Sequence, residues 1–199
     1  GQVHIDNPSK ENVFNPASGE PKQTMQVCTT CHQPHPGLGL VGQDPHAGRP
    51  ISCTGCHAVH KAAKADELPC QKCHVAVTHQ FQQRSNHPLL EGTMSCVSCH
   101  DPHNGKQTSL VGKTEQCTKC HQNVRGPKVF EHAPVTEDCT TCHNPHGSPN
   151  RRLLQLAQPM QCLQCHSVTA TRHASGTGTL RGAQMRGCTN CHSAIHGSH

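Results

Sequence analysis

The chain has 199 residues with no Trp, no Tyr and three Phe, and only 32% of it is hydrophobic, against about 45–50% in an ordinary soluble domain. Side chains alone cannot build a normal aromatic-rich core here; the excess lies instead in 16 Cys and 20 His. The formal charge of +5 would suit a nucleic-acid partner only if nothing else supplied negative charge.

Residues 1–27 contain no Cys and form a leader before the first motif. Gly1 opens the chain without Met or a hydrophobic stretch, which reads as an exported chain whose signal has been removed. The absence of a Cys at that start argues against a lipid anchor there. No run of about 18 apolar residues is present to span a membrane as a helix.

From residue 28 onward every Cys falls in a Cys-x-x-Cys-His pentapeptide. In chain order these are Cys28-Cys31-His32, Cys53-Cys56-His57, Cys70-Cys73-His74, Cys96-Cys99-His100, Cys117-Cys120-His121, Cys139-Cys142-His143, Cys162-Cys165-His166 and Cys188-Cys191-His192. The motif reads as c-type haem attachment. The two thiols join the vinyl groups of one haem, and the following His sits under the iron as proximal ligand.

Sixteen Cys in an exported chain would also suit a disulfide scaffold, and zinc sites and redox dithiols use Cys-x-x-Cys too. None of these accounts for a His after every second Cys. The expectation is eight covalent haems c, each with its iron. Their apolar macrocycles supply the missing interior, and without them the chain should not fold. Their sixteen propionates take the charge to roughly −3 oxidised and −11 reduced, which removes nucleic acid as a partner.

The first cysteines of alternate motifs from Cys53 are 43, 43 and 49 residues apart. The repeating unit is therefore a two-haem module, with modules starting near His46, His87, His132 and His173 in one domain over 1–199. Between motifs the chain is rich in Pro, Gly, Ser, Thr and Asn, which predicts loops. The expected fold is mostly coil with short α-helices wrapped around a haem chain, with no significant β-sheet. The best helical stretches are the motifs themselves and Arg151–Gln155.

Twelve His remain for the distal side of the irons. His46, His87, His132 and His173 precede a motif, and each can loop back over the haem of its own module. Spacing pairs them with His57, His100, His143 and His192. His60, His103, His146 and His196 trail a proximal His by three or four residues, too close to reach the far face of the same haem. They are expected to serve neighbouring haems, those of His32, His74, His121 and His166. His35, His4, His79 and His199 are weaker candidates. With His in surplus, the four Met (25, 94, 160 and 185) are expected to pack on haem faces. Two His on each iron leave no open position and favour electron transfer over small-molecule chemistry.

The segment His132-Ala-Pro-Val-Thr-Glu-Asp-Cys139-Thr-Thr-Cys142-His143-Asn-Pro-His146-Gly147 resembles the repeat of MtrA/DmsE-type multihaem cytochromes. The runs Cys96–His103 and Cys28–His35 match its second half. The second motif continues Ala-Val-His60 and the last Ser-Ala-Ile-His196, without the Pro. The resemblance implies a periplasmic electron carrier with bis-His haems in a continuous wire. It also implies redox partners: a periplasmic donor, an outer-surface cytochrome and an outer-membrane porin.

Three functions follow as alternatives. The first is an electron conduit across the outer membrane. The second is an extracellular filament self-associated through surplus His near the ends, such as His4 and His199. The third, against which the all-His motifs and absent Tyr argue, is an octahaem reductase. A non-enzymatic carrier, periplasmic and outer-membrane associated or extracellular, is the expectation.

Overall fold

The computed structural model describes residues 2–32, 46, 49–59, 69–103, 110–167 and 187–199, without the side chains of 110–112. His35, His60 and His173 lie outside the described residues.

Local order begins in the motifs. In all eight, the His N–H donates to the carbonyl of the first Cys at 2.8–3.1 Å. This closes one helical turn and brings residues three and four apart to one side. The turns take two forms. Helix α2 (Pro21–Cys31) runs into the first motif and starts with Pro21, whose missing N–H would be unpaired there anyway. The next two motifs are themselves short helices, α3 (Cys53–Cys56) and α4 (Cys70–Cys73).

Helices α6 (Leu110–Thr118) and α8 (Met160–Leu163) each carry the first Cys of a motif. The turns at Cys96–Ser98, Cys139–Thr141 and Cys188–Asn190 are tighter 3₁₀ turns. The remaining α-helices described are α1 (Gln2–Asp6), α5 (Val75–Gln80) and α7 (Ala133–Glu137).

Two of the 3₁₀ turns are capped by the preceding residue. Asp138 accepts from the Thr140 backbone N–H at 2.8 Å and from its hydroxyl at 2.7 Å. Ser95 and Ser98 cap one another reciprocally, the arrangement of a capping box.

Arg151–Gln155 is not the helix its pattern suggests. Arg151–Leu153 forms one 3₁₀ turn, and both Arg152 and Leu153 have φ of 59°. Distant groups take its backbone bonds. Leu153 N–H donates to Ser85 Oγ at 2.9 Å, Asn144 N–H donates to the Leu153 carbonyl at 2.7 Å, and Asn150 Nδ2 and Ser148 Oγ both donate to the Leu154 carbonyl. These bonds replace the i→i−4 ladder that sequence periodicity assumes.

Pairing between extended segments among the described residues consists of isolated bridges, Ser85–Ser148, Phe130–Ser198 and His143–Leu154. The fold is mostly coil with short helices, as composition implies. Among the described residues Phe81 is the one buried hydrophobic side chain, beside buried Thr24, Thr118, Ser148 and Gln161. A polypeptide with so little apolar interior needs another body to pack on.

The chain divides into two compact units. The first comprises residues 1–74 and 95–107. In it α2 packs on α3, and Thr54 Oγ1 donates to the Pro16 carbonyl at 3.0 Å. The second comprises residues 75–94 and 108–199. There Lys113 on α6 reaches Asp138 at 3.4 Å, so the elements bearing Cys117 and Cys139 are tied together. The chain also passes so close at Gly147 that a Cβ there would overlap the Gln80 carbonyl. Among the described residues no helix is long and apolar enough to cross a membrane.

Candidate haem sites

No disulfide joins any of the sixteen cysteines. In seven motifs the first Cys is half-buried and the second exposed; in the sixth both are half-buried.

Thiols of several successive motifs are neighbours. Burial and then Cys28 push the Cys53 thiol up; burial and then Cys70 and Cys73 do so for Cys56; burial and then Cys70 do so for Cys96. In the second unit burial raises Cys142, with Cys165 adding to it. Cys162 is pushed up to about 11 by burial, then by Cys188 and Cys142. The attachment points of the first four motifs, and those of the last three, therefore follow one another in space as they do in sequence.

The imidazoles carry the most specific signal. Five motif His face a second His. His46 and His74 have ring centres 6.1 Å apart, His57 and His103 5.7 Å, His87 and His121 6.2 Å, His132 and His166 5.9 Å, and His143 and His196 6.2 Å. Imidazole nitrogen binds transition metals at about 2.0–2.1 Å, with the ring centre about 1.1 Å behind it. Two rings in line on one ion therefore have centres about 6 Å apart. The observed separations fit one iron between each pair.

Backbone carbonyls support that reading. His87 Nδ1 lies 2.7 Å from the Pro145 carbonyl oxygen, and His143 Nδ1 lies 2.8 Å from that of Arg152. A carbonyl only accepts, so Nδ1 must carry the proton in both rings. That tautomer leaves the Nε2 lone pair free for a metal. Burial, then His143, His132 and Arg152, holds His196 below its usual value, which favours the neutral ring that ligation requires.

The pairs differ from those that spacing suggests. His46 faces His74 rather than His57, His87 faces His121 rather than His100, and His132 faces His166 rather than His143. Each of these three leading His thus lies beside the second motif His of its module, not the first. Of the trailing His, His103 faces His57 and His196 faces His143, neither of which is among the four motif His that spacing leaves to the trailing class.

His146 packs against Phe81 with ring centres 5.5 Å apart. The motif His not named in these pairs, His32, His100 and His192, close their helical turns like the others. His79 is exposed near the end of α5. His4 Nδ1 is 3.1 Å from the Ser9 carbonyl, and His199 Nε2 is 3.2 Å from Lys128 Nζ. Sequence reasoning missed Phe81, Pro145 and Arg152. An identical interval separating His87 from His121 and His132 from His166 could have revealed two of the pairs. Among the described residues no three of His, Cys, Asp or Glu converge as a compact metal cluster.

A family model for the doubled CXXCH motif matches residues 86–126 and 132–171. These motifs, their helical turns and the facing imidazoles define a multihaem c-type cytochrome with covalently bound haem c. The chain is 40% identical to the multiheme cytochrome MtrA of Shewanella baltica in an alignment of 192 positions that covers 86% of the chain. It is also 31% identical over 115 residues, 58% of its length, to the nine-heme cytochrome c of Desulfovibrio desulfuricans. Within that class it is of the MtrA type. The chain spans 57% of the Shewanella protein's length and 27% of the Desulfovibrio protein's.

Proposed function

We propose that this chain moves electrons through eight c-type haems, one at each Cys-x-x-Cys-His motif, on a route across or beyond the outer membrane. The observation that carries it is the set of five facing His pairs at the separation of two ligands on one iron.

The motif His serve as proximal ligands. His46, His87, His103, His132 and His196 serve as distal ligands to the haems of His74, His121, His57, His166 and His143. His60, His146 and His173 supply distal ligands among the remaining three haems. When bound, haem iron supplies a one-electron couple. The five facing pairs would hold an iron from two sides, with His87 and His143 kept in one tautomer by backbone carbonyls, and would leave no room there for substrate, which favours a carrier over an enzyme. Neighbouring thiols of successive motifs support close haem-to-haem approach within each unit.

The resemblance to MtrA-type cytochromes supports a periplasmic donor, an outer-membrane porin and an outer-surface cytochrome as partners. His4 and His199, the filament candidates, have local partners, which favours the conduit. The test has two parts. Intact mass should exceed the polypeptide by eight haems, with every haem low-spin by electron paramagnetic resonance. The protein purified from outer membranes should come with a β-barrel. A high-spin haem in the native protein would revive an enzyme, and regular filaments by electron microscopy would replace the conduit.

A further inference from the structure

The Cys-x-x-Cys-His-x-Pro-His pattern has a carbonyl whose partner lies in another repeat. Pro145, between His143 and His146, faces the Nδ1 of His87 at 2.7 Å. His87 is the leading His of the preceding module, and its ring faces His121. One repeat later the leading His is His132, whose ring faces His166. By the same register its acceptor would come from the next motif of this kind, Cys188–His196. There the sequence changes. Ser193-Ala194-Ile195 replaces Asn144-Pro145, one residue longer and without proline. Among the described residues the buried His132 Nδ1 has no hydrogen-bond partner.

We infer that Pro145 is a tuning residue that strengthens His87 as a ligand, and that its loss from the last repeat leaves His132 the weaker ligand. The haem at Cys162/Cys165 is thereby made easier to reduce than its neighbouring sequence would make it. The inference rests on the ligand pairs proposed above.

The physical reason is direct. Iron on Nε2 forces the proton onto Nδ1. Donation of that proton to a carbonyl shifts electron density into the ring and makes it a stronger donor to iron. A stronger donor favours the oxidised iron and lowers the potential. Among the described residues His132 Nδ1 has no such acceptor, so its buried N–H would go unpaired.

The experiment is a redox titration of purified holoprotein followed by electron paramagnetic resonance. His132→Ala should convert one haem to high-spin and identify the affected site; if none converts, the ligand pairing and this inference both fall. Replacing Ser193→Asn and Ala194→Pro with deletion of Ile195 restores the repeat. It should lower the potential of that one haem by at least a tenfold change in its reduced-to-oxidised ratio, about 59 mV. The converse change, Asn144→Ser and Pro145→Ala with an Ile inserted after them, should raise the haem of His121 by as much.

A second measurement needs no loop exchange. In the fully reduced protein, the Nδ1 proton lost in His87→Ala should resonate further downfield than the one lost in His132→Ala. Pairing intact but equal proton shifts, or loop exchanges that fold and move no haem more than twofold, would overturn the tuning role alone.

Discussion

The imidazoles of His57 and His103 lie nearly parallel, 14° apart in plane and 5.7 Å between centres. A trailing His of one module thus stands over the motif His of the module before it. His103→Ala should therefore turn one low-spin haem high-spin. The double variant that also lacks Cys53 and Cys56 should show no high-spin signal, because the opened haem is no longer attached. Persistence of the signal in that variant would show that His103 serves another iron.

Gly147→Ala should destabilise the second unit. Its new Cβ would overlap the Gln80 carbonyl oxygen, a backbone atom that cannot swing away, and overpacking of this kind costs about 1–3 kcal/mol. Gly55→Ala is the control: the nearest atom to its Cβ is Ile51 Cγ2 at 3.5 Å, an ordinary contact. Thermal unfolding followed by far-ultraviolet circular dichroism should separate the two, with Gly147→Ala alone lowering the midpoint.

Arg152→Gly should be neutral to mildly stabilising. Arg152 sits at φ 59°, ψ 32°, where an L side chain costs about 1–2 kcal/mol. Glycine gives back about 0.5–1 kcal/mol of this through its freer unfolded state. The net gain of about 0.5 kcal/mol should appear as a small rise in the unfolding midpoint. The His143 site should keep its potential, because the Arg152 carbonyl stays in place. A marked loss of stability would show that the side chain is needed.

Asp138→Ala should cost about 1 kcal/mol at neutral pH, the usual effect of losing a cap. Partial burial pushes the Asp138 carboxyl up, but Thr140 and Lys113 outweigh it and hold the carboxyl below its ordinary value of 3.8. Its charged form therefore stabilises the fold fully above that value, and the stabilisation fades as pH falls through the lower folded value. The gap between wild type and Asp138→Ala should be constant near neutrality and narrow only in strong acid. A gap that closes already near pH 6 would point to a histidine instead.

Chain produced without haem attachment should lack stable structure. With Phe81 the one buried hydrophobic side chain among the described residues, the polypeptide cannot offset the roughly 1–2 kcal/mol per residue lost on ordering. A cooperative thermal transition in haem-free protein would contradict this.

The motifs were fully legible in the sequence because all they need is local. Two thiols and an imidazole within one turn follow from spacing alone, and the structure closes that turn eight times. Coil between motifs was equally legible from composition. The facing pairs were not. His46 could reach His57 or His74 by length of chain, and spacing favours the nearer. In the second unit the deciding contacts join residues far apart in sequence, such as His87 with Pro145 and Leu153 with Ser85. The turn at Arg151–Leu153 was misread for the same reason: its backbone partners come from other segments.

Interleaving of this kind gives the molecule two kinds of site. If the facing pairs ligate, a chain threaded outward N-terminus first holds the Cys53/Cys56 cofactor on one side only until His103 emerges, and the Cys139/Cys142 cofactor likewise waits for His196. The motifs of His74, His121 and His166 instead find their second imidazole already emerged. Maturation is then stepwise, and a break between residues 57 and 103 or between 143 and 196 would separate an earlier iron from its second ligand.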